Sequence, residues 1–166
     1  PGFIDGQVVL SESEAIAEYL EERFPNPALL FGDAATRAHI RALSRVHDCW
    51  VEPQLRALFP HARPDGRDAG FVAARIEAFY RRLSEMAALA SPGPFLAGEE
   101  LSLADCAWAT TLIQAELLFT TLGHVLEIPA GLVSWRATLL THPAIRPGLD
   151  PCETSMRVWL KDCGAL

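Results

Sequence analysis

The sequence predicts a mainly α fold in which a short β-hairpin and one helix precede an all-helical bundle. Apolar residues recur at helical spacing along most of residues 34–166, short apolar runs flank an Asp-Gly pair at the start, and a stretch rich in Pro and Gly lies between the two parts. We therefore expect a small unit over residues 1–25, a linker over 26–33 and an all-helical domain over 34–166.

The first unit is predicted from turn and capping signals. Residues 2–10 (GFIDGQVVL) hold two apolar runs separated by Asp5-Gly6, a strong signal for a two-residue hairpin turn. A helix is expected next, because Ser11 and Glu14 form an S-x-x-E capping pattern, and a Phe-Pro pair ends it. Two strands and one helix are too few to close a core alone.

The second unit reads as a series of helices with apolar stripes. In the first of them His47, Trp50 and neighbouring apolar residues share one face and charged residues, Arg45 among them, lie on the other. Pro53 is expected to kink this helix. The predicted helices cover Thr36–Leu58, Ala69–Ala90, Leu103–Leu122, Leu132–Thr141 and Pro151–Lys161.

The third of these helices is the predicted centre of the bundle. Its only formally charged residues are Asp105 and Glu116, and apolar side chains occur all round it, which is typical of a buried helix. Ser102 followed by Asp105 is an S-x-x-D pattern directly before the apolar run. We therefore expect Ser102 and Asp105 to be structural, as the start of a core helix.

Composition excludes several function classes. A formal net charge of −7 argues against a nucleic-acid partner, and no continuous apolar span suggests a membrane protein. The four cysteines are scattered, which favours reduced thiols in the cytoplasm, and the five histidines show no ligand spacing, so no metal is expected. The chain starts with Pro1 and no initiator Met, so we expect it to be the remainder of a longer protein.

Three segments together identify a family. They are PGFIDG at residues 1–6, VVLSESEAIAEYLEERFP at 8–25 and FLAGEELSLADCA at 95–107. In this order and separation they resemble the cytosolic glutathione S-transferase superfamily, over almost the whole chain. The resemblance implies that the first unit is the last part of a thioredoxin-like α/β domain, with Pro1 at the position of its cis-proline, and that the rest is the C-terminal helical domain.

Glu12 and Ser13 match the pair of residues that holds glutathione in that superfamily. Free backbone N–H groups at a helix start, a Ser hydroxyl and the helix dipole together favour a carboxylate, the dipole by roughly 0.3–1 kcal/mol. Ser13 is therefore predicted to hold the γ-glutamyl carboxylate of glutathione, the co-substrate, and Glu12 to face its ammonium. The alternative is that both residues merely cap the helix and face water.

The remaining site residues are also implied by the resemblance. The side chain that activates the glutathione thiol, a Tyr, Ser or Cys, is placed near the start of the first domain, so no catalytic residue is expected among these 166, and they are expected to be inactive by themselves. His47 and Trp50 are predicted to line the electrophile pocket between the domains. The alternative is that Trp50 packs in the core and His47 is an interfacial histidine with its hydrogen bonds satisfied.

The predicted activity of the whole protein is that of a glutathione transferase, in which glutathione thiolate attacks a small hydrophobic electrophile in detoxification. Two alternatives stay open: a non-catalytic relative that keeps the fold for partner binding, and a glutathione-dependent isomerase or dehalogenase. A cytoplasmic homodimer is implied by the resemblance.

Overall fold

The computed structural model describes residues 2–166. Pro1, with the structural role expected for it, lies outside the described residues. The fold class is confirmed: a two-stranded antiparallel sheet and one helix precede a set of packed helices. Among the described residues, none of the helices has the length and apolar character needed to cross a membrane.

The hairpin consists of β1 (Gly2–Asp5) and β2 (Val8–Ser11). Its two-residue loop lies one position later than the Asp-Gly pair suggests, because Asp5 pairs with Val8 and belongs to the strand. Gly6 opens the loop with a φ of 59°, a conformation that a residue without Cβ adopts at no steric cost. Asp5 also accepts a hydrogen bond of 2.7 Å from the Tyr19 hydroxyl, which ties the strand to the next helix.

Helix α1 (Ser13–Arg23) follows β2 directly. The capping box expected from Ser11 and Glu14 is wrong, because Ser11 pairs with Gly2 as the last residue of β2 and Glu12 becomes the N-cap. The Glu14 carboxylate instead accepts a hydrogen bond of 2.7 Å from the hydroxyl of Ser44, on the next helix of the chain. The start of α1 is therefore left without a side-chain cap.

A long, interrupted helix comes next. It comprises α2 (Ala34–Val46), one wide π-helical segment (His47–Val51) and α3 (Glu52–Arg56). The irregularity lies where Pro53 was expected to produce a kink, because proline has no N–H to donate to the carbonyl four residues earlier. The backbone N–H of Glu52 reaches the carbonyl of His47 instead, which widens the turn.

The remaining elements complete the bundle. A 3₁₀ turn (Phe59–His61) leads to α4 (Ala69–Leu89), the central segment divides into α5 (Leu103–Cys106) and α6 (Trp108–Thr121), and a second 3₁₀ turn (Ala130–Leu132) precedes α7 (Val133–Thr141) and α8 (Arg146–Asp162). Helix α8 starts five residues before the predicted Pro151. Its early start is possible because Pro147 lies in the first turn, where a backbone N–H has no intrahelical partner.

The core belongs to the helices that follow α1. Trp108 of α6 contacts Trp135 of α7 edge to face, with ring centroids 5.6 Å apart, and both are fully buried. Helix α1 has no buried residue, and Ile4 and Val9 of the hairpin are exposed. The division into a unit over 1–25, a linker over 26–33 and a helical domain stays a prediction, although no helix or strand begins between Arg23 and Ala34.

Candidate functional site

A polar cavity of about 400 Å³ lies between the start of α1 and the helical bundle. The β2–α1 junction supplies Glu12 and Ser13, the α2–α3 segment supplies two arginines, and α6 supplies Thr111 and Gln114. The structure thus brings the predicted glutathione-binding pair into one space with the first long helix of the bundle. We call this space the polar cavity.

Glu12 and Ser13 are free of the structural roles that polar residues at helix starts usually have. Both are exposed, and no side-chain cap is formed at the start of α1. The first backbone N–H that bonds within the helix is that of Ile16, to the carbonyl of Glu12, so the amides before it are open to a ligand. Glu12 also has a φ of 73°, and strain of this kind in a residue with a Cβ is concentrated at functional sites.

Two ion pairs line the opposite wall of the polar cavity. Arg45 pairs with Asp48 at 3.5 Å, and Arg56 pairs with Glu52. Each carboxylate partner is 22% exposed, whereas the arginine side chains are 53% and 73% exposed. Asp48 and Glu52 line the polar cavity as well, and the guanidinium groups are the more exposed members of the two pairs.

His47 is buried at the base of this cavity, with both ring nitrogens paired. Nδ1 lies 2.7 Å from Oδ1 of Asp48 and Nε2 lies 2.8 Å from Oγ1 of Thr111. The hydrogen bond from His47 lowers the pKa of Asp48, and the ionised carboxylate accepts that bond from Nδ1–H. The second ring nitrogen, Nε2, is hydrogen-bonded to the Thr111 hydroxyl. This geometry is that of an interfacial histidine with satisfied hydrogen bonds.

Trp50 does not line the polar cavity, and it does not pack in the core. Its side chain is 44% exposed, and the guanidinium of Arg82 lies over its ring at 5.3 Å. The core position expected as the alternative for Trp50 is therefore wrong, and its place in the electrophile pocket stays a prediction. The reason is the π-helical segment, in which the wider turn places residues three apart on different faces.

Ser102 and Asp105 are fully buried. The carboxylate of Asp105 is fully buried and accepts four hydrogen bonds: from the backbone N–H of Leu96 at 2.9 Å, from Nε1 of Trp135 at 2.9 Å, and from the N–H and hydroxyl of Ser102 at 3.0 and 2.8 Å. These contacts join α5, α7 and the loop before α5. The geometry leaves Asp105 no capacity for chemistry with a ligand.

The residues that the sequence reasoning missed are those on the charged side of the first long helix. Arg45 was assigned to the face opposite the apolar stripe, where a solvated surface is the usual expectation. That face points into the polar cavity, as do Thr111 and Gln114 of α6. The polar side chains Thr111 and Gln114 on the predicted core helix were a signal in the sequence that one side of this helix lines a polar space. Among the described residues no group of three or more His, Cys, Asp or Glu side chains has the arrangement of a metal site.

The profile of the family "Glutathione S-transferase, C-terminal domain" matches residues 69–146. A solved structure of maleyl pyruvate isomerase, described as a bacterial glutathione S-transferase of zeta class, superposes with a TM-score of 0.72 at 27% identity, covering 91% of this chain and 74% of that one. The chain is similar in sequence and fold to members of the glutathione S-transferase superfamily. The family profile covers part of the helical bundle, and the structural match extends over 91% of the chain.

Two further members of the superfamily are informative. Maleylpyruvate isomerase from a Ralstonia species is 45% identical over 53 residues, which are 32% of this chain and 25% of that protein. The structure of maleylacetoacetate isomerase from Anaeromyxobacter dehalogenans, with dicarboxyethyl glutathione and citrate bound in its active site, has a TM-score of 0.64 at 28% identity and covers 87% of this chain and 65% of that one. The chain spans from about a quarter to two thirds of the length of the curated relatives that it matches.

Proposed function

We propose that the protein is a glutathione-dependent enzyme that isomerises a small unsaturated carboxylic acid from cis to trans. The observation that carries this proposal is the polar cavity, in which the open start of α1 faces the exposed guanidinium groups of Arg45 and Arg56. One end of the cavity suits the charged end of glutathione and the other suits a second carboxylate.

The glutathione end rests on the start of α1. The hydroxyl of Ser13 and the free amides of the first turn form a carboxylate site, strengthened by the positive end of the helix dipole. The exposed carboxylate of Glu12 is placed one residue before this site, within reach of an ammonium group on the same ligand. The γ-glutamyl group of glutathione carries a carboxylate and an ammonium on one carbon, so it matches both residues at once.

The acid end rests on the two arginines. A guanidinium binds a carboxylate through parallel N–H···O bonds, and such charge-assisted bonds are stronger than neutral ones. The relatives support this choice, because they are named for isomerising maleyl compounds and one of their structures holds a glutathione adduct with two carboxyl groups in its active site.

The proposed reaction requires no net change in atoms. The glutathione thiolate adds to one carbon of an α,β-unsaturated acid, and the electron pair of the double bond moves into the conjugated carbonyl to form an enolate. The former double bond is now single and rotates, after which the enolate re-forms the double bond and expels the thiolate. Ser13 and Glu12 position glutathione, and Arg45 and Arg56 fix the acid during the rotation. A thiol-activating residue outside these 166 stays a prediction.

Conjugation is the second candidate function. Both reactions share the enolate, and a proton delivered from water to its carbon yields a stable thioether instead of the trans acid. An apolar groove beside the polar cavity favours this candidate, because it suits the hydrophobic electrophiles expected of a glutathione transferase. The homodimer and the cytoplasmic location predicted from the resemblance remain predictions, and light scattering of the purified protein tests the first.

The test uses the whole protein, including the thiol-activating segment expected outside these 166 residues, with glutathione and cis-4-oxo-2-pentenoate, followed by proton NMR of the alkene. We expect the trans acid to form while glutathione is conserved. Arg56→Leu is expected to raise KM for the acid about tenfold or more with KM for glutathione unchanged, because it removes one charge-assisted contact. Arg63→Leu, at an exposed arginine outside the polar cavity, is the matched control and should change neither constant. Loss of glutathione with thioether formation indicates conjugation, and absence of both binding and turnover indicates a non-catalytic relative.

A further inference from the structure

A chain of hydrogen bonds joins two residues in the lining of the polar cavity through a buried histidine. Oδ1 of Asp48 lies 2.7 Å from Nδ1 of His47, and Nε2 of the same ring lies 2.8 Å from Oγ1 of Thr111. All three residues line the polar cavity. His47 is 3% exposed and packs against the ring of Trp108, with the ring centroids 4.8 Å apart. We call Asp48, His47 and Thr111 the histidine relay.

The histidine relay has two arrangements that differ by one proton. In both of them the ionised carboxylate of Asp48 accepts a hydrogen bond from Nδ1–H. When Nε2 carries no proton, the Thr111 hydroxyl donates to it and has only lone pairs left for a ligand. When Nε2 is protonated, it donates to Oγ1 of Thr111, and the hydroxyl hydrogen is free for a ligand. The proton on His47 therefore decides whether Thr111 offers a ligand a donor or an acceptor.

The charges around the histidine relay favour the protonated arrangement once an acid binds. The lining of the polar cavity holds three carboxylates and two guanidinium groups, which belong to Glu12 at the start of α1 and to Arg45, Asp48, Glu52 and Arg56 of the α2–α3 segment. The residues that α6 adds to this lining are uncharged. Glu14 of α1 and Arg82 of α4 are engaged with Ser44 and with the ring of Trp50. An acid adds negative charge to this space, and a nearby negative charge favours a protonated imidazole.

We propose that the histidine relay takes up one proton when an acid binds in the polar cavity, and that the Thr111 hydroxyl then donates a hydrogen bond to the carboxylate of that acid. The proton comes from the solvent: it is added to Oγ1 of Thr111 as the former hydroxyl proton passes to Nε2 of His47. No other bond forms or breaks. This inference rests on the proposed function, because the acid is its substrate. It gives Thr111 a contact with the substrate and makes His47 and Asp48 positioning residues that act through Thr111.

The experiment counts the proton by calorimetry. An unreactive acid, 4-oxopentanoate, is titrated into the whole protein saturated with S-methylglutathione, which has no thiol proton to exchange. The titration is carried out at pH 8 in triethanolamine and in Tris, two amine buffers whose enthalpies of ionisation differ. The difference between the two binding enthalpies gives the number of protons taken up. We expect about 0.5–1 proton for the wild type.

Three substitutions assign the proton to the histidine relay. Thr111→Val keeps the shape without the hydroxyl, so proton uptake should disappear and the affinity for 4-oxopentanoate should fall about tenfold. Thr111→Ser should restore both quantities. Asp48→Asn still accepts from Nδ1–H but has no charge to stabilise the imidazolium, so it should reduce the uptake, which a role in packing alone would not change.

Thr120→Val is the matched control. Thr120 is an exposed threonine of α6 outside the polar cavity, and its hydroxyl donates to the backbone carbonyl of Glu116. This variant should leave both the proton uptake and the affinity for 4-oxopentanoate unchanged.

The outcomes separate this inference from the proposed function. If the wild type binds 4-oxopentanoate without taking up a proton, the inference is overturned and the proposed function stands. Unchanged uptake in Thr111→Val, or in Asp48→Asn should the first variant not fold, also overturns it, because the proton then binds another group. Failure of the acid to bind to a protein that still binds S-methylglutathione contradicts the carboxylate site of the proposed function, and the inference with it.

Discussion

Two helix starts in this protein contain a serine and an acidic residue. One of these pairs is buried and hydrogen-bonded within the protein, and the other is exposed. At the start of α5 the Asp105 carboxylate is fully buried and accepts four hydrogen bonds, one of them from the Ser102 hydroxyl. At the start of α1 Glu12 and Ser13 are exposed, and neither side chain forms a capping hydrogen bond. A polar side chain at a helix start is available to a ligand only where it makes no hydrogen bonds within the protein.

The surroundings of the two starts cause the difference. Helix α5 begins beneath the loop that contains Leu96 and against Trp135 of α7, both of which need an acceptor in the interior. Helix α1 begins directly after a strand, with the chain turned by the positive φ of Glu12. The first start satisfies buried donors, whereas the second leaves Glu12 and Ser13 in the lining of the polar cavity.

The largest expected effect is on the buried start. Asp105→Ala leaves four buried donors without their acceptor, so we expect the free energy of unfolding to fall by about 3 kcal/mol or more. The affinity for glutathione, measured on the folded fraction, should be unchanged. Denaturant unfolding measures the first quantity and calorimetry the second, with Asp65→Ala at an exposed acid as the control. A melting temperature equal to that of the wild type would contradict the structural role.

A smaller effect is expected at the donor side of the same cluster. Trp135→Phe keeps most of the ring packing against Trp108 and removes the indole N–H that donates a hydrogen bond to the Asp105 carboxylate. We expect a loss of about 1–2 kcal/mol in the free energy of unfolding, measured with urea. Trp50→Phe, at a largely exposed tryptophan, is the control and should cost less than about 0.5 kcal/mol. Equal losses in the two variants would show that the indole N–H contributes nothing.

At the exposed start of α1, removal of the acidic side chain should raise the free energy of unfolding instead of lowering it. Glu12→Gly removes the strain of a φ of 73° in a residue with a Cβ, so the free energy of unfolding should rise by about 1 kcal/mol. The same change removes the carboxylate that we propose faces the ammonium of glutathione, so the affinity for glutathione should fall. Glu12→Gln keeps the strain and is the matched control for stability. A less stable Glu12→Gly protein would show that the side chain of Glu12 contributes to the fold.

The smallest effect concerns Cys106, next to Asp105. Burial raises the pKa of its thiol to about 11, with Asp105 adding to the shift, so the reactive thiolate forms only as the pH approaches that value. At pH 8 we expect iodoacetamide to modify the exposed Cys49 and to leave Cys106 unmodified, as measured by peptide mass spectrometry. Rapid labelling of Cys106 at pH 8 would show that the start of α5 opens readily.

Local sequence signals predicted most of the fold. Apolar periodicity located α4 and α7, and the spacing of Ser102 and Asp105 indicated a helix start that the structure contains. The failures have one physical origin, which is competition between neighbouring elements. Ser11 has the spacing of a helix cap, but it pairs with Gly2 and is the last residue of β2. Residues 11–14 alone do not reveal whether Ser11 joins the strand or caps the helix.

The candidate site was less predictable than the fold. Glu12 and Ser13 were predicted through the resemblance, and their role stays a prediction. The core position considered for Trp50 is wrong because a π-helical segment depends on Pro53 and the packing around it, which helical spacing does not encode. Arg45 and Arg56 were overlooked because a charged helix face is normally solvated, and only the packing of α1 against the bundle makes it a cavity wall.

The contrast between the two starts is tested most directly by removing one hydroxyl from each. Ser13→Ala is expected to weaken glutathione binding about tenfold or more and to leave the free energy of unfolding within about 0.5 kcal/mol of the wild type. Ser102→Ala is expected to do the reverse, with a loss of about 1–2 kcal/mol in stability and unchanged glutathione affinity. If Ser13→Ala binds glutathione as tightly as the wild type, the open start of α1 is not the glutathione site.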